Sequence, residues 1–152
     1  MTEKWRIVVG ADEAGVRYKD ALKADLEADP RVAEVIDVGV SLDENTAYPH
    51  VAVTAARKIT DGLADRALLV CGTGLGVAIS ANKVPGIRAA LCTDKETAAG
   101  ARKWNDANVL ALSLRTTSPA LLEEILAAWF DAAPSPDADD RANVDHLAEI
   151  ES

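Results

Sequence analysis

Hydrophobic residues in this chain fall into short runs separated by longer stretches with helical spacing. Arg6-Ile7-Val8-Val9-Gly10 is β-rich and ends on glycine. From Val16 to Ala28, Val16, Tyr18, Ala21, Leu22 and Leu26 recur at near-helical intervals. Val32 to Val40 is rich in β-branched residues and reads as a second strand, closing on Gly39-Val40. A polar loop follows, and Pro49 opens a helix running to about Thr60, since a first helical position has no N–H bond to lose. Ala67-Leu68-Leu69-Val70-Cys71 is apolar throughout, as suits a central strand covered on both faces. Gly72-Thr73-Gly74-Leu75-Gly76 then leads into a short helix from about Val77 to Lys83. Two further strands are expected at Arg88–Cys92 and Asn108–Leu112, with a helix from about Lys95 to Lys103 between them. Pro119 to Phe130 places Leu121, Leu122, Ile125, Leu126 and Trp129 on one helical face.

Five strands alternating with helices imply a parallel sheet covered on both sides. Right-handed crossovers leave few ways to order the strands. The expected architecture is α/β: a three-layer α/β/α, doubly wound, five-stranded parallel sheet (Rossmann-like) with a C-terminal tail helix. Residues 1–130 form the domain, and residues 131–152 are a linker and helical arm of the same domain. The linker Asp131–Asp140 carries Pro134, Pro136 and several aspartates, and is expected to be an exposed, stiff hinge. Beyond it, Arg141 to Glu151 forms a terminal helix with Val144, Leu147 and Ile150 along one side, docked on its own domain or on a second subunit.

Composition narrows the function classes. The chain has 152 residues, 49% of them hydrophobic and 27% charged, which is ordinary for one soluble domain. The net charge of −9 repels phosphate backbones and argues against a nucleic-acid partner. An anionic substrate therefore needs a local cluster of donors. No stretch approaches the ~20 apolar residues of a membrane helix. The polar start, Met1-Thr2-Glu3-Lys4-Trp5-Arg6, is no secretory signal, so the expected compartment is the cytoplasm. Two cysteines make neither a disulfide framework nor a zinc spacing, and no metal is expected.

In an open parallel sheet, ligands bind beyond the carboxyl ends of the strands, where the strand order reverses. That places the loops Ala11–Gly15 and Cys71–Gly76 side by side. The second offers clustered backbone N–H groups, suited to a phosphate, a carboxylate or a developing oxyanion. It is not a P-loop, which needs G-x-x-x-x-G-K-[ST]. A dinucleotide loop needs G-x-G-x-x-G; here Val77 takes one possible place of the third glycine, although Asp94 sits where a ribose-binding acid would. The loop can also serve packing alone. Cys71, next to the Gly72 and Thr73 amides and near a helix start, occupies an environment that favours a thiolate, yet a buried structural cysteine is an alternative. Cys92 is expected to be such a structural residue.

Cys71-Gly72-Thr73-Gly74-Leu75-Gly76, followed by Ala81-Asn82-Lys83-Val84-Pro85-Gly86-Ile87-Arg88-Ala89-Ala90, resembles the type B ribose-5-phosphate isomerase family. That family also holds the galactose-6-phosphate isomerase subunits. Gly10-Ala11-Asp12, Ala14-Gly15, Tyr48-Pro49-His50 and Asn105-Asp106-Ala107-Asn108-Val109-Leu110 add matches in order, over roughly residues 5 to 130. The resemblance implies aldose–ketose isomerisation of a sugar phosphate through a cis-enediolate, with no metal or cofactor. It implies Cys71 as the base between C1 and C2, with Thr73 positioning the reacting oxygens. The amides of Gly72, Gly74 and Gly76 would stabilise the enediolate. Asp12, Tyr48 and Asn105 would contact hydroxyls, and Arg115 would take the phosphate. It further implies a homodimer or homotetramer with sites at the subunit interface.

Two departures stand inside these motifs. Glu13 follows Asp12 where the family usually has histidine, and Trp104 precedes Asn105 where the family has the histidine credited with opening the furanose ring. The tail, which normally brings arginines to the phosphate, offers Arg141 among Asp137, Asp139, Asp140 and Asn143. A substrate that needs no ring opening accounts for the loss. A tetrose 4-phosphate such as erythrose or erythrulose 4-phosphate cannot close a five-membered ring, because its C4 oxygen carries the phosphate. Trp104 would then shorten the pocket and pack on the smaller sugar; an indole that simply plugs the cleft is the alternative for that position. The alternative is a family member that binds a small molecule or nucleotide without isomerising it, with Glu13 repelling phosphate.

Overall fold

The computed structural model describes residues 3–40 and 46–151; the expected polar loop at 41–45 lies outside the described residues. β1 (Trp5–Ala11), a 3-10 turn (Glu13–Gly15) and α1 (Val16–Glu27) open the chain, followed by β2 (Val32–Asp37) and α2 (Tyr48–Thr60). β3 (Arg66–Cys71), α3 (Leu75–Ala81), β4 (Ala89–Leu91) and α4 (Lys95–Asn105) come next. β5 (Val109–Ser113), α5 (Pro119–Asp131) and α6 (Ala138–Ile150) complete the order. The strands form one parallel sheet in the order β2-β1-β3-β5-β4, so the direction of winding reverses at β1 and β3. The α/β doubly wound sheet expected from the sequence is the sheet observed.

Alternating side chains split the core into two layers. Ile7, Val9, Leu68, Val70, Leu110 and Leu112 face one way, against Leu22, Ile125 and Trp129 from α1 and α5. Val8, Leu69, Cys71, Val109 and Ala111 face the other way, against Ala52, Ala55 and Val77 from α2 and α3. β3 is buried along its whole length, as its uniformly apolar run requires, except that its first residue is an arginine. The Arg66 guanidinium lies 3.8 Å over the Trp5 ring and 5.6 Å from that of Trp129; burial, together with nearby Arg102, pulls it down to about 10. On α1, Ala21 is exposed and Lys19 takes an inward place. Its ammonium pairs with Asp37 at 3.0 Å and donates to the Val40 carbonyl at 2.9 Å, tying the helix to the end of β2.

Helix ends follow side-chain chemistry. Ser118 caps α5 ahead of Pro119, and Asp94 accepts from the Thr97 N–H at 2.7 Å in a capping box that starts α4. Asp137 caps α6, so this helix begins three residues earlier than its apolar spacing suggests and the linker is correspondingly short. That linker is anchored rather than free-standing: Ser135 is buried and its N–H donates to the Lys103 carbonyl at 2.8 Å. α6 buries no residue; Leu147 and Ile150 stay exposed, and Glu151 holds its end by accepting from the Gly86 N–H at 2.8 Å.

Candidate active site

A cleft of about 310 Å³ opens where β1 and β3 part, lined by Asp12, Tyr48, Cys71, Gly72, Thr73, Gly76 and Arg115. Each comes from the carboxyl end of a strand or from the helix start beyond it, the position that parallel winding reserves for ligands. Cys71 is the last residue of β3 and is only 4% exposed. The chain then turns sharply: Gly74 adopts φ 76° and donates its N–H to the Cys71 Sγ at 3.2 Å. Thr73 Oγ1 accepts the N–H of Leu75 at 3.2 Å and thereby closes the start of α3. The amides of Gly72 and Thr73 have no acceptor among the described residues, which leaves two backbone donors at the lip beside the sulfur.

Asp12 turns its carboxylate back on the 3-10 turn, accepting from the Gly15 N–H at 3.2 Å, which fixes its place at the cleft edge. Tyr48, 42% exposed, stands at the start of α2 with its ring over Gly76. Arg115 follows β5 and pairs its backbone N–H with the Gly72 carbonyl at 3.3 Å. Its guanidinium makes no ion pair with another described residue, and Arg115 lines the cleft. Glu13 is exposed and does not line the cleft, which weakens the case that it repels a bound phosphate. His50 lies exposed on α2, and His146 sits on α6 at 3.0 Å from Glu149, so neither lines the cleft.

The other expected groups separate from this cleft. Gly74 is buried in the turn and contributes its N–H to the sulfur rather than to the lip. Trp104 and Asn105 do not join Cys71. They end α4, a helix that leaves the carboxyl end of β4 and runs back toward the amino end of the sheet. The Asn105 carbonyl accepts from Arg88 Nε at 3.1 Å, just before β4 begins. Trp104, 53% exposed, lays its ring over Gly100 and lines two other clefts, one of them beside Lys103 and Arg141.

Cys92 lies in the core on the opposite face, where burial pushes its thiol up to about 11. Asp94 is engaged as the cap of α4, with the Thr97 N–H holding its carboxyl below the usual range; that leaves it poorly placed as a ribose ligand. Among the described residues no group of three or more His, Cys, Asp or Glu side chains is arranged to hold a metal, and no helix is long and apolar enough to cross a membrane. One residue that sequence reasoning passed over is Ser113, a polar side chain at the carboxyl end of a central strand that touches the Gly72 turn. Its position, two residues ahead of Arg115, is the signal that would have found it.

Comparisons with known proteins bear on the family and the fold. The sequence pattern of the Ribose/Galactose Isomerase family matches residues 7–147. The chain is 47% identical over 147 residues to a protein of Mycolicibacterium smegmatis named D-erythrulose-4-phosphate isomerase 2, covering 96% of this chain and 97% of that one. It is 40% identical over 127 residues to ribose-5-phosphate isomerase B of Escherichia coli, covering 84% of each. Among solved structures, type B ribose 5-phosphate isomerase of Leishmania infantum superimposes with a TM-score of 0.93 at 33% identity, over 97% of both chains. The chain belongs to the Ribose/Galactose Isomerase family and is an aldose–ketose sugar-phosphate isomerase.

Proposed function

We propose that this chain interconverts an aldotetrose 4-phosphate and its ketose, erythrose and erythrulose 4-phosphate, with Cys71 as the base. The observation that carries this reading is the sulfur of Cys71 beside the two unpaired amides of Gly72 and Thr73, with Arg115 in the same small cleft. The thiolate takes the proton from the carbon next to the carbonyl. The C–H electron pair becomes the C1–C2 π bond, and the carbonyl electrons move onto oxygen. The Gly72 and Thr73 N–H groups meet that charge as it develops, in a site that needs no reorganisation. The hydroxyl proton passes from one oxygen of the enediolate to the other; as the proton held by the thiol returns to the neighbouring carbon, the electrons of the second C–O bond re-form a carbonyl, which completes the exchange of aldose for ketose. Thr73 and Asp12 orient the oxygens, Tyr48 covers the chain, and Arg115 holds the phosphate through its planar fork.

One observation supports the short substrate. A relative sharing 47% of its residues over nearly the whole chain bears the name of an erythrulose-4-phosphate isomerase. Trp104 replaces the family's ring-opening histidine, which a tetrose phosphate does not require. Trp104 and Asn105 reach the site from a second copy of the chain. The apolar surface beside the cleft, Leu75 and Ile79 on α3 at 53% and 60% exposure, is the face that copy covers. Light scattering on the eluted protein that finds only single chains would count against this assembly.

The deciding experiment follows deuterium entering erythrulose 4-phosphate and ribulose 5-phosphate in D₂O by NMR, with wild type and Cys71→Ala. Exchange should be faster on the tetrose and fall by about 10²–10⁴-fold in the variant, the usual worth of a positioned base. Exchange that survives the loss of Cys71 removes it as the base. Faster exchange on the pentose removes the short substrate.

A further inference from the structure

Ser113, the last residue of β5, is 4% exposed and turns its hydroxyl to the loop that follows Cys71. The Oγ–H donates to the Gly72 carbonyl at 3.1 Å. The same oxygen accepts the Arg115 N–H at 3.2 Å and the Thr116 N–H at 3.3 Å. One donor and two lone pairs are thereby all in use. The two bonds to Arg115 and Thr116 are what any serine gives a turn. The third crosses to the loop after β3, and the turn does not need it.

That crossing bond has a stereochemical consequence. A planar trans peptide points its carbonyl and its N–H in opposite directions. The Gly72 carbonyl is held toward β5 by the Ser113 hydroxyl and the Arg115 N–H. The Thr73 N–H of the same peptide therefore turns away from β5, toward β1, the side on which Asp12 lies and the cleft opens. The same hydroxyl fixes the first amides after β5, from which the Arg115 side chain sets out. One side chain thus joins the donor that would meet the enediolate to the loop that would meet the phosphate.

We propose that Ser113 is a positioning residue for the isomerisation, setting the Gly72–Thr73 peptide and the Arg115 loop as one unit. This rests on the reading of the Cys71 cleft as the isomerase site. Ser113→Ala should fold, since it only removes an oxygen, and Ser113→Thr keeps the hydroxyl. In Ser113→Ala, kcat should fall about tenfold and KM should rise severalfold, in line with the steep cost of displacing catalytic groups by a fraction of an ångström. Ser113→Thr should recover most of kcat. Amide hydrogen exchange read by NMR supplies a measure independent of turnover: the Arg115 and Thr116 amides should exchange faster in Ser113→Ala than in wild type. Wild-type kinetic constants in Ser113→Ala, at a temperature where it is fully folded, overturn the proposal. So does a tenfold slowing with those two amides as protected as in wild type. A wild-type protein that moves no deuterium into either sugar phosphate would instead sink the isomerase reading of the cleft, while the amide exchange would still report the contacts of Ser113.

Discussion

Gly74→Ala tests whether the turn after Cys71 is held by the fold or merely tolerated. Gly74 sits at φ 76°, where an alanine Cβ meets its own backbone at a cost of about 1–2 kcal/mol. An added Cβ would also lie 2.5 Å from Leu91 Cδ1, 2.9 Å from the Leu112 carbonyl carbon and 3.0 Å from its oxygen. The leucine tip can move; the Leu112 backbone cannot, because it is paired inside β5 with β3. Overpacking of this kind adds about 1–3 kcal/mol, giving a total of roughly 2–5 kcal/mol. For a chain of this length that is a fall in melting temperature of roughly 5–15 °C. The loop must back away from β5, which opens the 3.2 Å contact between the Gly74 N–H and the Cys71 sulfur. Thermal unfolding followed by circular dichroism reads the first effect, and deuterium wash-in at a temperature well below the transition reads the second. Activity per folded molecule should drop by more than tenfold, since misplacing a catalytic group is costly. A variant that melts within 2 °C of wild type (about the effect of 1 kcal/mol) and exchanges deuterium at the wild-type rate would show that the turn does not hold the thiol.

Gly100→Ala should act in the opposite direction on stability. Glycine inside a helix costs about 1 kcal/mol against alanine, and the atoms an added Cβ would meet, 2.8 and 2.9 Å away, belong to the half-exposed Trp104 ring. The ring can swing out, so the expected result is a modest rise in melting temperature with a shifted Trp104 indole N–H resonance; an unmoved resonance refutes the contact. Asp65→Asn should weaken the fold at neutral pH and matter less in acid. The Asp65 carboxylate accepts from Arg6 Nη2 at 2.9 Å and from the Arg6 backbone N–H at 2.8 Å, and the arginine holds it below its ordinary 3.8. A depressed carboxyl contributes stability above its unfolded value and loses it as pH falls through the folded one. Urea titrations at pH 6 and pH 3 should therefore show the gap between variant and wild type closing at the lower pH, and a constant gap would rule the ion pair out as its source.

The sheet was legible because burial on both faces demands uniformly apolar strands, and Ala67 to Cys71 is such a run. Helix starts were legible where a cap or proline marks them, as at Pro119, and misplaced by three residues where an aspartate cap precedes the apolar stripe, as at Asp137. Lys19 and Arg66 escaped because composition alone gives no reason to bury a charge. Lys19 is stabilised there by Asp37 and Arg66 by the ring of Trp5, partners 18 and 61 residues away along the chain that only the folded sheet brings close. The Cys71 turn, Asp12, Tyr48 and Arg115 came together as expected, since all follow strands or open helices at the same end of the sheet.

Trp104 and Asn105 follow a different geometric rule, and it was available in the sequence. In a parallel sheet each helix carries the chain back from the carboxyl end to the amino end, so residues just after a strand and residues just before one lie at opposite ends. Cys71 ends β3 and Arg115 comes after β5; Trp104 and Asn105 come five and four residues before β5. The two groups are separated by the length of the strand, and no local rearrangement of α4 closes that distance without breaking the capped helix and the Arg88 bond to Asn105. A site that uses all of these residues must therefore draw the second pair from another copy of the chain. The exposed Trp104 ring and the exposed apolar face of α3 are surfaces that such a pairing would cover. On the proposed assembly Trp104 would form the wall of a neighbour's pocket, and any effect it has on substrate length should vanish in a variant that separates the subunits.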